Sequence, residues 1–236
     1  MNISTSPKAE PANGRAPDGI ERPPPKRRSF MDYYVGTVLA PRATFAALMS
    51  DDRRLIFGTI AMAITIQLYT LVYIFLSIGG GAPAGLKPWL AIPAKVYYHY
   101  NEYLLAPSLF MGWILAAGVA QLLSRGYSGK GRFEDSLCAL GFGINIACLP
   151  SLAHDLPESL LGALGVIDLP RYEAILTSQT LWHEVVMLLY SLTLTWCAVL
   201  FCIGIRATQG LRRGPAITIG LIAFSLFLSV SVIFNR

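Results

Sequence analysis

Five stretches of this chain run for 18 or more positions without a charged side chain, namely 55–78, 103–124, 136–153, 185–205 and 214–235. A hydrocarbon layer about 30 Å thick takes roughly 20 helical residues to cross, and each stretch supplies about that many. Inside lipid every backbone group must be bonded within the segment or within a closed barrel, and these runs lack the apolar–polar alternation of barrel strands. Composition agrees: 54% of residues are hydrophobic and 14% charged, against about a quarter charged in a soluble domain. The expected fold is an all-α, polytopic transmembrane bundle of about five spans. The third window is short and holds Gly141, Gly143, Asn145 and Pro150, which predicts a kinked or tilted span.

Basic residues orient the bundle. Before the first span lie Lys26, Arg27, Arg28, Arg42, Arg53 and Arg54. Between the second and third lie Arg125, Lys130 and Arg132, and between the fourth and fifth Arg206, Arg212 and Arg213. Five spans place these twelve on one side and only Lys87, Lys95, Arg171 and Arg236 on the other. The N-terminus is therefore expected in the cytoplasm and the C-terminus outside. No cleavable signal is expected, because the first apolar run begins at Leu55.

Three regions follow from the same pattern. Residues 1–29 hold six prolines and too little apolar surface to offset ordering entropy, so they are expected to form a disordered basic tail. Its Lys26, Arg27 and Arg28, with Arg53 and Arg54, suit anionic lipid headgroups; a polyproline ligand for a partner domain is the other reading. Residues 30–54 are expected at the interface. Pro41 suits a first helical turn, and Phe45, Leu48 and Met49 then share one face, which could lie on the membrane or on the protein's own spans. Residues 55–235 form the spanning domain. Of the outer loops, 79–102 carries Trp89, Tyr97, Tyr98 and Tyr100, followed by Tyr103, an expected aromatic belt at headgroup depth. The other, 154–184, contains a mildly apolar stretch, 156–169, expected as a short helix on the outer face.

The segment Ala40-Pro-Arg-Ala-Thr-Phe45, followed by Leu48, resembles the Pro-x-x-x-Phe-x-x-Leu element preceding the first span of the Yip1 family of five-span membrane proteins. Leu140-Gly-Phe-Gly-Ile-Asn-Ile-Ala-Cys-Leu-Pro150, with Gly141, Phe142 and Pro150, is similar to the Gly-aromatic…Pro signature of that family's third span. Gly204-Ile-Arg-Ala207 before a short basic loop resembles the end of its fourth. The similarity covers roughly residues 36–234. The Asp-Leu-Tyr-Gly-Pro element of eukaryotic members is absent, so a divergent prokaryotic member is expected and a link to Rab-type GTPases does not carry over. The resemblance implies no enzymatic reaction.

Residue chemistry points the same way. His154-Asp155 and His183-Glu184 sit at outer span ends and could meet around a metal or a proton, but polar span boundaries account for them. Met187 stands where a His-Glu-x-x-His zinc motif needs its second histidine. Cys138, Cys148, Cys197 and Cys202 lie in apolar windows without metal-binding spacing. No catalytic, metal or cofactor-binding residue is assigned, and no nucleic-acid partner is expected. The favoured reading is a scaffold or adaptor in the cell membrane (the inner membrane of a two-membrane bacterium), with lipids, other membrane proteins or further copies of itself as partners. A permease subunit and an intramembrane hydrolase are the alternatives.

Gly112, Ala116 and Ala120 recur every four residues on the second span and make a smooth stripe for close helix approach. Ala116→Leu should therefore destabilise the protein more than Leu115→Ala, by the roughly 1–3 kcal/mol that overpacking costs. Thermal unfolding of both variants in one detergent checks this; greater damage from Leu115→Ala would put the stripe against lipid.

Overall fold

A computed structural model of the chain describes residues 28–83, 89, 90 and 92–234. Most of the expected tail, with Lys26 and Arg27, lies outside the described residues, as do Lys87 and residues 235 and 236. Among the described residues all regular structure is helical. Helix α1 (Phe30–Leu39) begins at a capping box, in which Ser29 Oγ accepts from the Asp32 amide and Asp32 accepts from the Ser29 amide. Helix α2 (Pro41–Met49) follows after one residue, with Pro41 in its first turn. The long helices are α3 (Arg54–Ile78), α4 (Tyr97–Arg125), α8 (Leu181–Gln209) and α9 (Arg213–Phe234). Each is long and apolar enough to cross a membrane.

The fifth candidate span is a bent pair of helices. Helix α5 (Phe133–Ala147) gives way at Cys148 to α6 (Leu149–Ala163), and the two axes diverge by 53°. Pro150 explains the break: its ring cannot continue the α5 hydrogen-bond ladder, but it fits the first turn of a new helix. The 156–169 stretch is thus not a separate helix. Residues up to Ala163 complete α6, and a short α7 (Leu169–Leu176) starts later, capped by Asp168 accepting from the Arg171 amide.

Helix α5 is the axis of the bundle. From Cys138 to Ala147 every residue is buried, with α3, α4 and α8 packed around it and α9 closing the ring between α4 and α8. Small residues let the backbones come together. A Cβ added to Gly58 of α3 would stand 2.5 Å from the Cys138 Cα, and one on Gly204 of α8 would meet the Ala139 Cβ at 3.2 Å. On the third side Trp113 of α4 donates its indole N–H to the Leu137 carbonyl at 2.8 Å. The interior position explains why the third window reads weakly: a helix shielded by other helices need not be as apolar as one facing lipid. Asn145 accordingly sits there, buried, donating to Thr65 Oγ1 at 2.9 Å.

The segment before α3 packs on the protein itself. Phe45 and Leu48 of α2 are fully buried, α2 lies against α8, and Phe30 of α1 packs in a tilted pair against Phe142 of α5 at 5.5 Å between ring centroids. On α4, Ala116 and Ala120 are fully buried, whereas Leu115 is 43% exposed; a Cβ on Gly112 would touch Phe227 of α9 at 3.2 Å. The aromatic belt is only partly as expected. Trp89, Tyr100 and Tyr103 face outward, but Tyr97 and Tyr98 turn inward and are buried, because α4 starts at Tyr97, two turns before its uncharged window.

Candidate functional site

Helix ends carrying basic residues converge. Arg54 at the start of α3 bridges to Asp135 at the start of α5 at 2.6 Å, and Asp135 also accepts from the Arg132 amide. Gln209 at the end of α8 donates to Gln121 of α4 and to Ser136 of α5 at 2.7 and 2.8 Å, and its carbonyl accepts from the Lys130 amide. One polar layer therefore ties α3, α4, α5 and α8 at this end.

The arginines here have two fates. Arg53 and Arg54, expected at lipid headgroups, are engaged by protein carboxylates. Arg53 pairs with Asp51 at 3.2 Å and lies over the Phe57 ring at 4.8 Å. Its guanidinium holds the Asp51 carboxyl below the usual carboxylate range. Stability from this contact is thus present above the ordinary carboxylate pKa and is lost as the pH falls through the lowered one. Arg28 lies 6.0 Å from the Tyr33 ring. By contrast Arg42, Arg206 and Arg213 are exposed, and among the described residues none of them forms an ion pair within 4.0 Å. They surround one end of an open groove between α8 and α9, with a cavity volume of about 630 Å³.

The opposite end holds a second polar cluster, joining α6, α7 and α8. His154 is buried. Its Nδ1 faces Asp155 at 3.0 Å and Glu158 at 3.4 Å, and its Nε2 faces the Tyr172 hydroxyl at 3.0 Å. Trp182 donates its indole N–H to the Tyr172 oxygen at 2.5 Å, and Tyr190 donates to Asp155 at 2.7 Å. Carboxylates accept only, so Nδ1 carries a proton and donates to Asp155, while Nε2 shares a hydrogen bond with the Tyr172 hydroxyl. Burial pushes the Tyr172 phenol up, which keeps it protonated. Beside the cluster, buried Glu173 of α7 accepts from the Tyr98 hydroxyl at 3.1 Å and the Ala82 amide at 2.9 Å.

His154 and His183 do not meet around one site. His183 Nδ1–H donates to the Leu176 carbonyl at 2.5 Å, capping the end of α7. The partner that joins His154 and Asp155 is Glu158, and ligand atoms of these three lie within 4.8 Å of one another. Two carboxylates and an imidazole are a donor set that could hold a divalent cation, although the same atoms already satisfy one another by hydrogen bonds. Glu158 was legible in principle, since four residues along a helix return to the same face; Tyr172, Trp182 and Tyr190 carried no local signal. Both His154 nitrogens are engaged, and Ser151 Oγ lies 2.6 Å from the Tyr69 hydroxyl and 3.0 Å from the Cys148 carbonyl.

The residues of the family-like motifs are placed for packing. Pro41 starts α2, Phe45 and Leu48 are buried, and Pro150 marks the α5–α6 break. A Cβ on Gly141 would lie 2.6 Å from the Gly58 carbonyl oxygen, and Phe142 is fully buried. Comparison with protein families matches the Yip1 domain over residues 35–234. A bundle with four or five candidate membrane-spanning helices, buried motif residues and this match agree: the chain belongs to the Yip1 family of integral membrane proteins. No curated protein and no solved structure shows a match.

Removing the Tyr172 hydroxyl should leave the Trp182 indole N–H and His154 Nε2 without the partner they share. Tyr172→Phe should therefore cost about 1–3 kcal/mol, read as a lower unfolding temperature in detergent. A variant as stable as the parent would show that the cluster does not hold α7 in place.

Proposed function

We propose that this protein is a non-enzymatic membrane scaffold or adaptor that holds lipids and partner membrane proteins against its outer helices. The distribution of burial among the spans carries this reading. In α4, 44% of the most apolar window is buried; in α8 the figure is 22%. Helix α8 thus contributes one edge to the bundle and presents the rest, including Leu188 and Leu192, outward. Such a face is available for lipid or for another helix. The interior supports the same reading over a permease: α5 fills the bundle centre with Leu140, Phe142, Ile144 and Ile146. The charged side-chain pairs lie in separate clusters at the two ends, with the buried Asn145–Thr65 bond between them.

A photoreactive residue at Leu188 or Leu192 should give a discrete protein adduct in native membranes, and one at buried Leu200 should not. Lipid adducts alone at all three positions would remove the partner-protein half of the proposal. Acceleration of small-solute exchange by the purified protein in liposomes would overturn the scaffold reading in favour of a permease.

The basic end is proposed to face the cytoplasm of the cell in whose membrane the chain resides, following the excess of Lys and Arg at that end. In a variant with the four native cysteines replaced, Tyr127→Cys should label only from the cytoplasm and Ser178→Cys only from outside. Labelling of both from one side would break the five-span topology.

A further inference from the structure

We infer that the α8–α9 groove is a binding site for one anionic phospholipid, with its phosphate held by Arg42, Arg206 and Arg213 and an acyl chain lying along the groove. The inference rests on the lipid-holding part of the scaffold reading and names its ligand and its site. Three observations carry it.

Charge comes first. Arg206 closes the last turn of α8, Arg213 opens α9, and Arg42 comes from the first turn of α2, so three separate elements bring guanidinium groups to one mouth. Their neighbours Arg53 and Arg54 are neutralised by Asp51 and Asp135; these three form no such pair among the described residues. Guanidinium groups bind phosphate oxygens through paired N–H donors, and the mouth therefore complements a phosphate.

Length comes second. Along α8 the lining extends from Arg206 back to Leu194, and along α9 from Arg213 to Phe224. At 1.5 Å per residue these walls are roughly 16–18 Å long, about half of a hydrocarbon core near 30 Å. A lipid in one leaflet has that reach. A partner helix crossing the membrane would need a groove about twice as long.

Shape comes third. Where α8 and α9 touch, a Cβ on Gly220 would stand 2.6 Å from the Cys202 Cα, so the two backbones pinch together. Beside the contact the floor is small, with Ala198, Cys202 and Ala216, while Leu194, Leu221 and Phe224 stand around it. The volume of about 630 Å³ lies within the range of small-ligand clefts, and Leu194, Val199, Ile217 and Leu221 of its apolar lining are exposed at the surface of the two helices.

The test uses the full chain in mild detergent, titrated with phosphatidylglycerol or phosphatidylcholine and read by native mass spectrometry. One phosphatidylglycerol should be retained in preference to phosphatidylcholine. The triple variant R42Q/R206Q/R213Q should weaken phosphatidylglycerol binding by roughly fivefold per arginine, about a hundredfold in all, and leave phosphatidylcholine binding unchanged. Ala198→Trp, which fills the floor with all arginines intact, should weaken it as well; Leu221→Trp on the other wall serves if the first variant fails to fold. Millimolar inorganic phosphate should not displace the lipid. Equal binding of the two lipids, or phosphatidylglycerol binding indifferent to the arginine changes, would overturn the site. Displacement by phosphate would reduce it to a free-anion site. Loss of a dimer in Ala198→Trp without loss of lipid would assign the groove to a second copy of the chain. The photo-crosslinking and solute-exchange outcomes at α8 are independent of these, so failure of the groove leaves the scaffold reading separately decided.

Discussion

The close approach of α3 and α8 to the buried helix α5 is the contact on which the bundle depends. In lipid, apolar side chains gain little by leaving one hydrocarbon surroundings for another, so helix association relies on dispersion contacts and on hydrogen bonds that lipid cannot supply. Both need backbones near one another. Gly58 against Cys138 and Gly204 against Ala139 give that approach on two sides, and the Trp113 bond to the Leu137 carbonyl adds a polar tie on the third. Once α5 is enclosed, α9 needs only to close the gap between α4 and α8, and the amphipathic α2 can lay Phe45 into the seam near Gly204.

The same enclosure decides what the sequence could show. Spans facing lipid must be apolar over most of their circumference, so α3, α4, α8 and α9 announce themselves as long uncharged runs. Helix α5 is protected by its neighbours, tolerates Gly141, Gly143 and Asn145, and gives the weakest window although it is the most buried element. Pro150 signalled a break but not its consequence, which is that α6 continues to Ala163 and carries His154, Asp155 and Glu158 along its length. The inward turn of Tyr97 and Tyr98 was likewise hidden. Aromatic residues near a span end fit a headgroup belt or a core equally well by composition, and only the packing of Tyr98 against Tyr73 and Glu173 separates the two.

Candidate sites were less legible than the fold because they join residues distant in sequence. His154 and Asp155 stand out as charges at a span end, but the hydroxyl facing Nε2 belongs to Tyr172 and the second donor to Asp155 is Tyr190. These come from two other helices, and no local spacing relates them. The pairing of His154 with His183 failed for a related reason. A histidine near a helix end has a carbonyl within reach, and His183 uses the open end of α7.

At the basic end the excess of Lys and Arg expresses an orientation rule, which counts charges without regard to what each one does. Three-dimensional structure divides them. Asp51 and Asp135 each pair with an arginine at the start of α3; the Arg53–Asp51 pair is open to solvent, whereas Arg54–Asp135 adjoins the polar layer, where an unpaired charge would be costly. Arg42, Arg206 and Arg213 stand beyond that layer, at the margin of the bundle, where no protein carboxylate among the described residues reaches them. A charge at such a margin is stable because water and lipid headgroups solvate it. Arg54 and Asp135 tie two helix ends together, whereas Arg42, Arg206 and Arg213 mark a face turned to the surroundings, and that face is also the mouth of the α8–α9 groove.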